Sequence, residues 1–166
     1  LYMAKRDFSQ AEGLNQQALE IKQKVFGKQH LYTSASYNNL AMMYYTIGNY
    51  GLAWSHYHKA LKNTQDKLGD HIDTTVYLSN LAVLYHDMGN YIRAEPLYQQ
   101  TLKIFQDTLG KKHLNYALTL HSLAGLYVTR DKFDLALDLK LQACAIENEV
   151  IGQFFKFANE TQRTLY

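Results

Sequence analysis

Apolar side chains recur at intervals of three and four residues along most of this chain, a spacing that places them on one face of an α-helix. The pattern predicts a first and a second helix in each of three consecutive segments. First helices are predicted over 31–47, 72–88 and 114–129, and second helices over 50–68, 91–109 and 133–151. No alternating run of β-branched residues competes, so the predicted fold is all-α.

A segment with the core Leu-Ala-x-x-Tyr occurs three times, at intervals of 41 and 42 residues. The copies are Tyr37–Tyr44, Leu78–Tyr85 and Leu120–Tyr127. A fixed period of this length is typical of helix pairs that stack side by side, each contacting mainly its neighbours. The sequence therefore predicts a helical solenoid, an architecture in which an enclosed catalytic site is uncommon.

Glycines with the same period mark the predicted ends of the second helices. They are Gly27, Gly69, Gly110 and Gly152. Between the helices of a pair, Gly48–Asn49 and Gly89–Asn90 match a left-handed C-cap glycine followed by an N-cap asparagine. The third copy has Asp131–Lys132 at that place, a poorer cap, and we expect a looser turn there.

Alanine occupies one fixed position in every first helix and another in every second helix. These residues are Ala41, Ala82 and Ala124, then Ala53, Ala94 and Ala136. Small side chains on both partners let two antiparallel helices approach closely, and a larger side chain would overpack the contact. We expect all six to be buried.

These motifs together resemble the tetratricopeptide repeat, in the 42-residue form of kinesin light chains. Leu-Ala-x-x-Tyr, Gly-x-Tyr and a following alanine carry the resemblance, and Ala94–Tyr98 and Leu109–His113 match that form in particular. The proline that usually follows the loop histidine is replaced by Leu31, Ile72 and Leu114. The resemblance implies a right-handed superhelical α-solenoid of antiparallel helix pairs, whose first helices line a concave groove.

The repeats are expected to form a single array that begins and ends within a repeat. We predict a partial repeat over 1–30, repeats over 31–70, 71–112 and 113–152, and the start of a further repeat or a capping helix over 153–166. Neither end has the polar face of a terminal cap, so we expect a segment of a larger, multidomain protein.

Composition narrows the classes of partner. The net charge is only +2, which provides no general attraction to nucleic acid or to an anionic membrane. No run approaches the ~18 apolar residues of a membrane span, and the chain does not start with a signal-peptide pattern. The expectation is a cytoplasmic protein that binds neither nucleic acid nor membrane.

The single cysteine, Cys144, cannot form an internal disulfide. It stands where the earlier repeats have Leu61 and Leu102, on a helix face that is expected to be buried. We therefore predict an unreactive core thiol.

Histidines invite a catalytic or metal-binding interpretation. His30, His71 and His113 share one loop position, but helices about 8–10 Å apart would keep them from sharing one ion, and we expect them to cap the helices that follow. His86 and His121 lie on successive first helices without a third ligand type beside them. Since phosphate loops, HExxH motifs, paired cysteines and nucleophile elbows are missing, we predict no enzyme activity, no catalytic residue, no metal and no cofactor.

The predicted first helices contain none of the 17 basic residues. The resemblance implies a peptide-binding site formed by Asn38, Asn39, Met42, Tyr45, Ser79, Asn80, Val83, His86, His121 and Ser122. Asn39 and Asn80 share one position and, as donor and acceptor, suit a peptide backbone; the alternative is that they hydrogen-bond within the stack. Without the lysines of the chaperone-tail-binding relatives, this groove is not expected to bind an acidic C-terminal tail.

The predicted function is a non-catalytic module that holds a peptide or protein partner, or a neighbouring domain of its own chain, in the groove. Two alternatives stay open. One is a structural or oligomerisation scaffold, and the other is a regulatory arm of a bacterial caspase-like peptidase or nucleotide-binding switch protein.

Overall fold

A computed structural model describes the backbone of residues 2–163 and the side chains of residues 8–157. Within this range the chain forms seven α-helices and no strand. The helices are α1 (Tyr2–Phe26), α2 (Leu31–Thr46), α3 (Tyr50–Leu68), α4 (Thr74–Asp87), α5 (Tyr91–Leu109), α6 (Leu114–Val128) and α7 (Phe133–Arg163). The prediction of an all-α helical-repeat fold is confirmed.

The chain divides into two compact units, one ending at Asn90 and the other beginning at Tyr91. Unit 1 contains α1 to α4, in which α2 packs against α1 and α3, and α3 packs against α4. Unit 2 contains α5 to α7, in which α6 packs against both α5 and α7. The first helices α2, α4 and α6 therefore each lie beside the second helix of their own pair or of the pair before it.

The last helix is longer than the sequence predicts. The glycines Gly27, Gly69 and Gly110 adopt left-handed φ angles of 91°, 62° and 82° and end their helices, as expected. Gly152, by contrast, lies inside α7, which continues to Arg163. The predicted end at residue 151 is wrong for a physical reason: Phe155 stands where His30 and His113 begin the next helix, so no acceptor caps a new start.

Two of the three loop histidines act as helix caps, as predicted: His30 caps α2 and His113 caps α6. Nδ1 of His30 accepts a hydrogen bond from the Tyr32 amide at 3.2 Å, and Nδ1 of His113 accepts one from the Asn115 amide at 3.1 Å. The prediction is wrong for His71: its Nδ1 accepts a bond from the Asp73 amide at 3.2 Å, but α4 begins only at Thr74, with Asp73 as its N-cap. The imidazoles of His30 and His113 thus each satisfy a first-turn amide that the helix itself leaves without a partner.

Removing one of these caps should destabilise the protein measurably. We expect His113→Ala to lower the free energy of unfolding by about 1 kcal/mol, because the Asn115 amide loses its acceptor. His113→Asn keeps a side-chain acceptor and should unfold close to the parent. Urea melts of the three proteins check this expectation, and equal losses for both variants would show that the imidazole acts through packing instead.

The third intrapair turn is as well closed as the others, so the prediction of a looser turn is wrong. The Lys132 amide donates to the Tyr127 carbonyl at 2.9 Å, the same bond that the Asn49 amide makes to Tyr44 at 2.9 Å. Asp131 takes the position of Gly48 with a φ of 55°. Asp is one of the few residues that visit this region as single residues, which explains why the turn survives without glycine.

The core repeats with the sequence. The leucine before each first-helix alanine is at most 4% exposed, and all six alanines predicted to be buried are at most 3% exposed. The leucines are Leu40, Leu81 and Leu123. Cys144 departs from the pattern: it is exposed, whereas its counterpart Leu61 is 6% exposed. The prediction of a buried thiol is wrong because α3 is covered by α2 and α4, whereas the described packing of α7 is against α6.

Candidate functional site

The predicted binding residues of unit 1 lie on α2 and α4 but differ in accessibility. Asn39 and Met42 are exposed on α2, whereas Asn38 is only 8% exposed. The others are partly buried: Tyr45, Ser79, Asn80, Val83 and His86. Of the predicted residues on α2, Asn39 and Met42 are therefore accessible to a ligand, whereas Asn38 is buried.

An open depression of ≈ 330 Å³ lies in unit 1 along these helices. Its lining residues come from α2, α3, α4 and the residue just before α4: Leu31, Ala35, Asn38, Asn39, Thr64, Asp73, Val76 and Tyr77. Burial raises the pKa of Tyr77, beside the Thr64 hydroxyl, so its phenol is neutral near pH 7. Asp73 is the one charged residue among those that line the depression.

Only Asn38 and Asn39 of the predicted set line this depression. Six lining residues are absent from that set: Leu31, Ala35, Thr64, Asp73, Val76 and Tyr77. Leu31 and Asp73 stand at helix starts, where periodicity gives no facing direction, and Thr64 belongs to a second helix. Tyr77 could have been found from its spacing, because it lies four residues before Leu81 and therefore on the same face of α4.

Two of the predicted residues bind each other. The Asn80 amide nitrogen donates to Oδ1 of Asn38 at 2.8 Å, linking α4 to α2 across one repeat. Asn38 also directs its amide nitrogen at Sδ of Met42, 3.4 Å away. Asn80 therefore hydrogen-bonds within the stack, which is the alternative role considered from the sequence. Its counterpart on α2, Asn39, has an exposed side chain.

A second link between α2 and α4 involves Tyr45 and Asp87. The Tyr45 hydroxyl donates to the Asp87 carboxylate, and this bond to the carboxylate raises the pKa of Tyr45 to about 12. Nδ1 of His86 lies 3.8 Å from Oδ1 of the same carboxylate. The Asp87 carboxylate is thus contacted by a hydroxyl from α2 and by an imidazole from α4.

In unit 2 the predicted residues are His121 and Ser122 on α6. Nε2 of His121 lies 3.1 Å from Oε1 of Glu147 on α7, so this imidazole is engaged with the second helix of its own pair. The Ser122 hydroxyl donates to the Leu118 carbonyl at 3.1 Å and is exposed. Neither residue is among those that line the depression of unit 1.

The repeated tyrosine at the end of each first helix makes a hydrogen bond that the sequence analysis missed. The Tyr44 hydroxyl donates to Glu12 at 2.5 Å, and the Tyr127 hydroxyl donates to Glu95 at 2.7 Å. The Tyr85 hydroxyl accepts from Nε1 of Trp54 at 2.7 Å. All three partners occupy one position on the second helix of the preceding repeat. This recurring bond fixes how each first helix sits on the helix before the loop.

Helix pairs with a fixed period, the same buried leucines and alanines, and the same hydroxyl link define a helical-repeat protein. The tetratricopeptide repeat matches residues 1–66 and 73–149, and the chain belongs to this family. Its fold generally serves as a protein–protein interaction module. Among the described residues, none of the helices combines the length and apolar character needed to cross a membrane.

Two solved structures show what this chain is similar to. One is BtubC (BKLC) of P. vanneervenii, with a TM-score of 0.80 and 27% identity over 89% of this chain. The other has nearly identical TPR-like repeats, from a kinesin light chain candidate of Podosopora anserina, with a TM-score of 0.73 and 25% identity over 90% of this chain. The chain spans 58% of the length of the first and 71% of the second. Among curated proteins, none matches the sequence.

Proposed function

We propose that this chain is a non-catalytic interaction module, and that α2 and α4 bind an extended, largely uncharged segment of a partner protein. The observation that carries the proposal is the open depression of unit 1, which combines apolar side chains with an exposed amide. Because both similar chains are longer, the module is proposed to act within a larger protein.

The chemistry of the depression favours a neutral, partly apolar ligand. Ala35 and Val76 offer apolar surface, and Val76 is 54% exposed. Asn39 offers a donor and an acceptor, which together can bracket one peptide unit whatever its side chain. An acidic peptide would meet Asp73 and no lysine or arginine among the lining residues, so repulsion disfavours it.

A displayed library of random peptides tests the proposal. Selection on the 166-residue chain should enrich uncharged peptides with apolar positions, and their affinity should change little between low and moderate salt, since few charges are neutralised on binding. We expect Asn39→Ala to weaken a selected peptide by about 2- to 10-fold, as one hydrogen bond is lost. Val76→Asp should weaken it more, because a carboxylate replaces an apolar contact.

The matched control is Lys62→Ala, an exposed side chain of α3 that does not line the depression. It should leave the affinity unchanged. Enrichment of strongly charged peptides, a steep salt dependence, or equal binding by the parent and Val76→Asp would each contradict the proposed surface. Circular dichroism of every variant separates lost binding from lost folding.

A further inference from the structure

Three side chains able to ligate a metal converge where α6 packs against α7. They are His121 on α6, and Cys144 and Glu147 on α7. Their ligand atoms all lie within 4.8 Å of one another, and Nε2 of His121 is 3.1 Å from Oε1 of Glu147. We infer that these three residues form a binding site for one zinc ion, within the third predicted repeat.

The local structure holds the three residues in position. Cys144 and Glu147 are three residues apart on α7, so their side chains leave the same face of that helix. The residues next to the ligands in sequence pack together: Leu120, Ala143 and Ile146 belong to one hydrophobic cluster that joins α6 to α7. A site built on two packed helices is more precisely placed than one built on loops.

The donor set selects the kind of metal. An imidazole nitrogen, a thiolate sulfur and a carboxylate oxygen together suit zinc, whereas calcium and magnesium prefer oxygen ligands alone. Zinc commonly takes three protein ligands and a water molecule in a tetrahedral arrangement, with bonds of about 2.0–2.3 Å. Ligand atoms around such an ion are separated by roughly 3–4 Å. Because Cys144 is exposed, its side chain has room to close the remaining distance.

The other repeats show what these three positions contain when no metal is implied. In the first repeat they are Asn38, Leu61 and Thr64, and in the second they are Ser79, Leu102 and Phe105. Leu61 and Thr64 are buried at 6% and 1% exposure and serve packing. The third repeat replaces this packing set with a complete set of strong ligands, including a carboxylate whose partial burial is costly unless it is paired.

Binding changes both protonation and charge. Zinc displaces the proton of the Cys144 thiol into solvent, binds the neutral His121 imidazole through Nε2, and takes the Glu147 carboxylate as an anion. Its two positive charges are then balanced by one thiolate and one carboxylate. The hydrogen bond between His121 and Glu147 is exchanged for two bonds to the ion, and affinity should fall as the pH is lowered.

Calorimetric titration of the reduced, metal-free chain with zinc tests the inference, with cobalt as an optical probe. We expect one equivalent to bind, a thiolate-to-cobalt charge-transfer band, and a rise in melting temperature on adding zinc. Cys144→Leu and His121→Asn introduce the residues of the first repeat and should fold. Each should lose more than about tenfold in affinity, and Cys144→Leu should also lose the charge-transfer band.

The control is His30→Asn, which removes a histidine of unit 1 but retains a capping side chain, and it should bind zinc like the parent. No binding to the parent would overturn the inference, because His121 and Glu147 would then form a hydrogen bond and nothing more. Binding that survives both Cys144→Leu and His121→Asn would also overturn it, since the ion would be held elsewhere.

Discussion

Replacing Leu81 by alanine should lower the free energy of unfolding by about 2–5 kcal/mol, the largest effect that we expect from a single substitution. Leu81 is 1% exposed and belongs to the leucine–alanine pair that repeats along the first helices. The neighbouring Ala82 is fully buried and too short to fill the space that the leucine leaves. A cavity would remain, and the lost contacts would add to the lost burial of about three carbons.

Val76→Ala is the matched control for this change. Val76 lies on the same helix and is 54% exposed, so its truncation should cost no more than about 0.5 kcal/mol. Urea denaturation of both variants, followed by circular dichroism at 222 nm as a far-ultraviolet helix signal, gives the comparison. Similar losses for the two substitutions would mean that α4 is not packed in the orientation described here.

The second large effect concerns Asn80. We expect Asn80→Ala to destabilise the protein by about 1–3 kcal/mol, because Oδ1 of the nearly buried Asn38 loses the donor that lies 2.8 Å away. Asn39→Ala, the equivalent change on the preceding first helix, should cost little, since the Asn39 side chain is exposed. Two residues at one repeat position are thus expected to differ in role.

Thermal and urea melts of the two single variants check this expectation directly. The same variants also bear on the proposed function, because Asn39→Ala should weaken a selected peptide while the protein keeps its stability. If Asn39→Ala destabilised as strongly as Asn80→Ala, both asparagines would belong to the scaffold. If neither substitution changed stability, the Asn38–Asn80 bond would contribute nothing to it.

The sequence predicts the helices well because local features specify them. The starts of α3 and α5 and the ends of both follow from glycines and asparagines that act within one turn of the chain. Burial of the alanines follows from a small side chain that recurs at one fixed position on each helix. Gly152 alone does not predict the end of α7. The position three residues after it holds Phe155, which cannot cap a new helix, and α7 continues through the glycine.

The candidate sites were less predictable because they depend on how helices rotate against each other. Asn38 and Asn39 are neighbours in sequence, and only the packing of α2 decides that the first is buried and the second exposed. His121 and Glu147 are in contact although they lie 26 positions apart in the sequence. Cys144 lies near both because it shares a face of α7 with Glu147. Periodicity gives the buried face of a helix but not the pairs of side chains that meet across it.

The tyrosine hydroxyl bonds cross the borders of the sequence repeat, so they tie each repeat to the one before it. Every such bond joins a second helix to the first helix that comes after the loop, so Trp54 and Tyr85 fall on opposite sides of the border between the predicted repeats 31–70 and 71–112. A fragment trimmed at the sequence borders would sever each of these bonds. A fragment trimmed in the tight turns, for example residues 50–88, would keep one intact, and the division of the chain after Asn90 falls in such a turn. A fragment meant to keep such a bond must therefore contain the second helix of one repeat together with the first helix of the next.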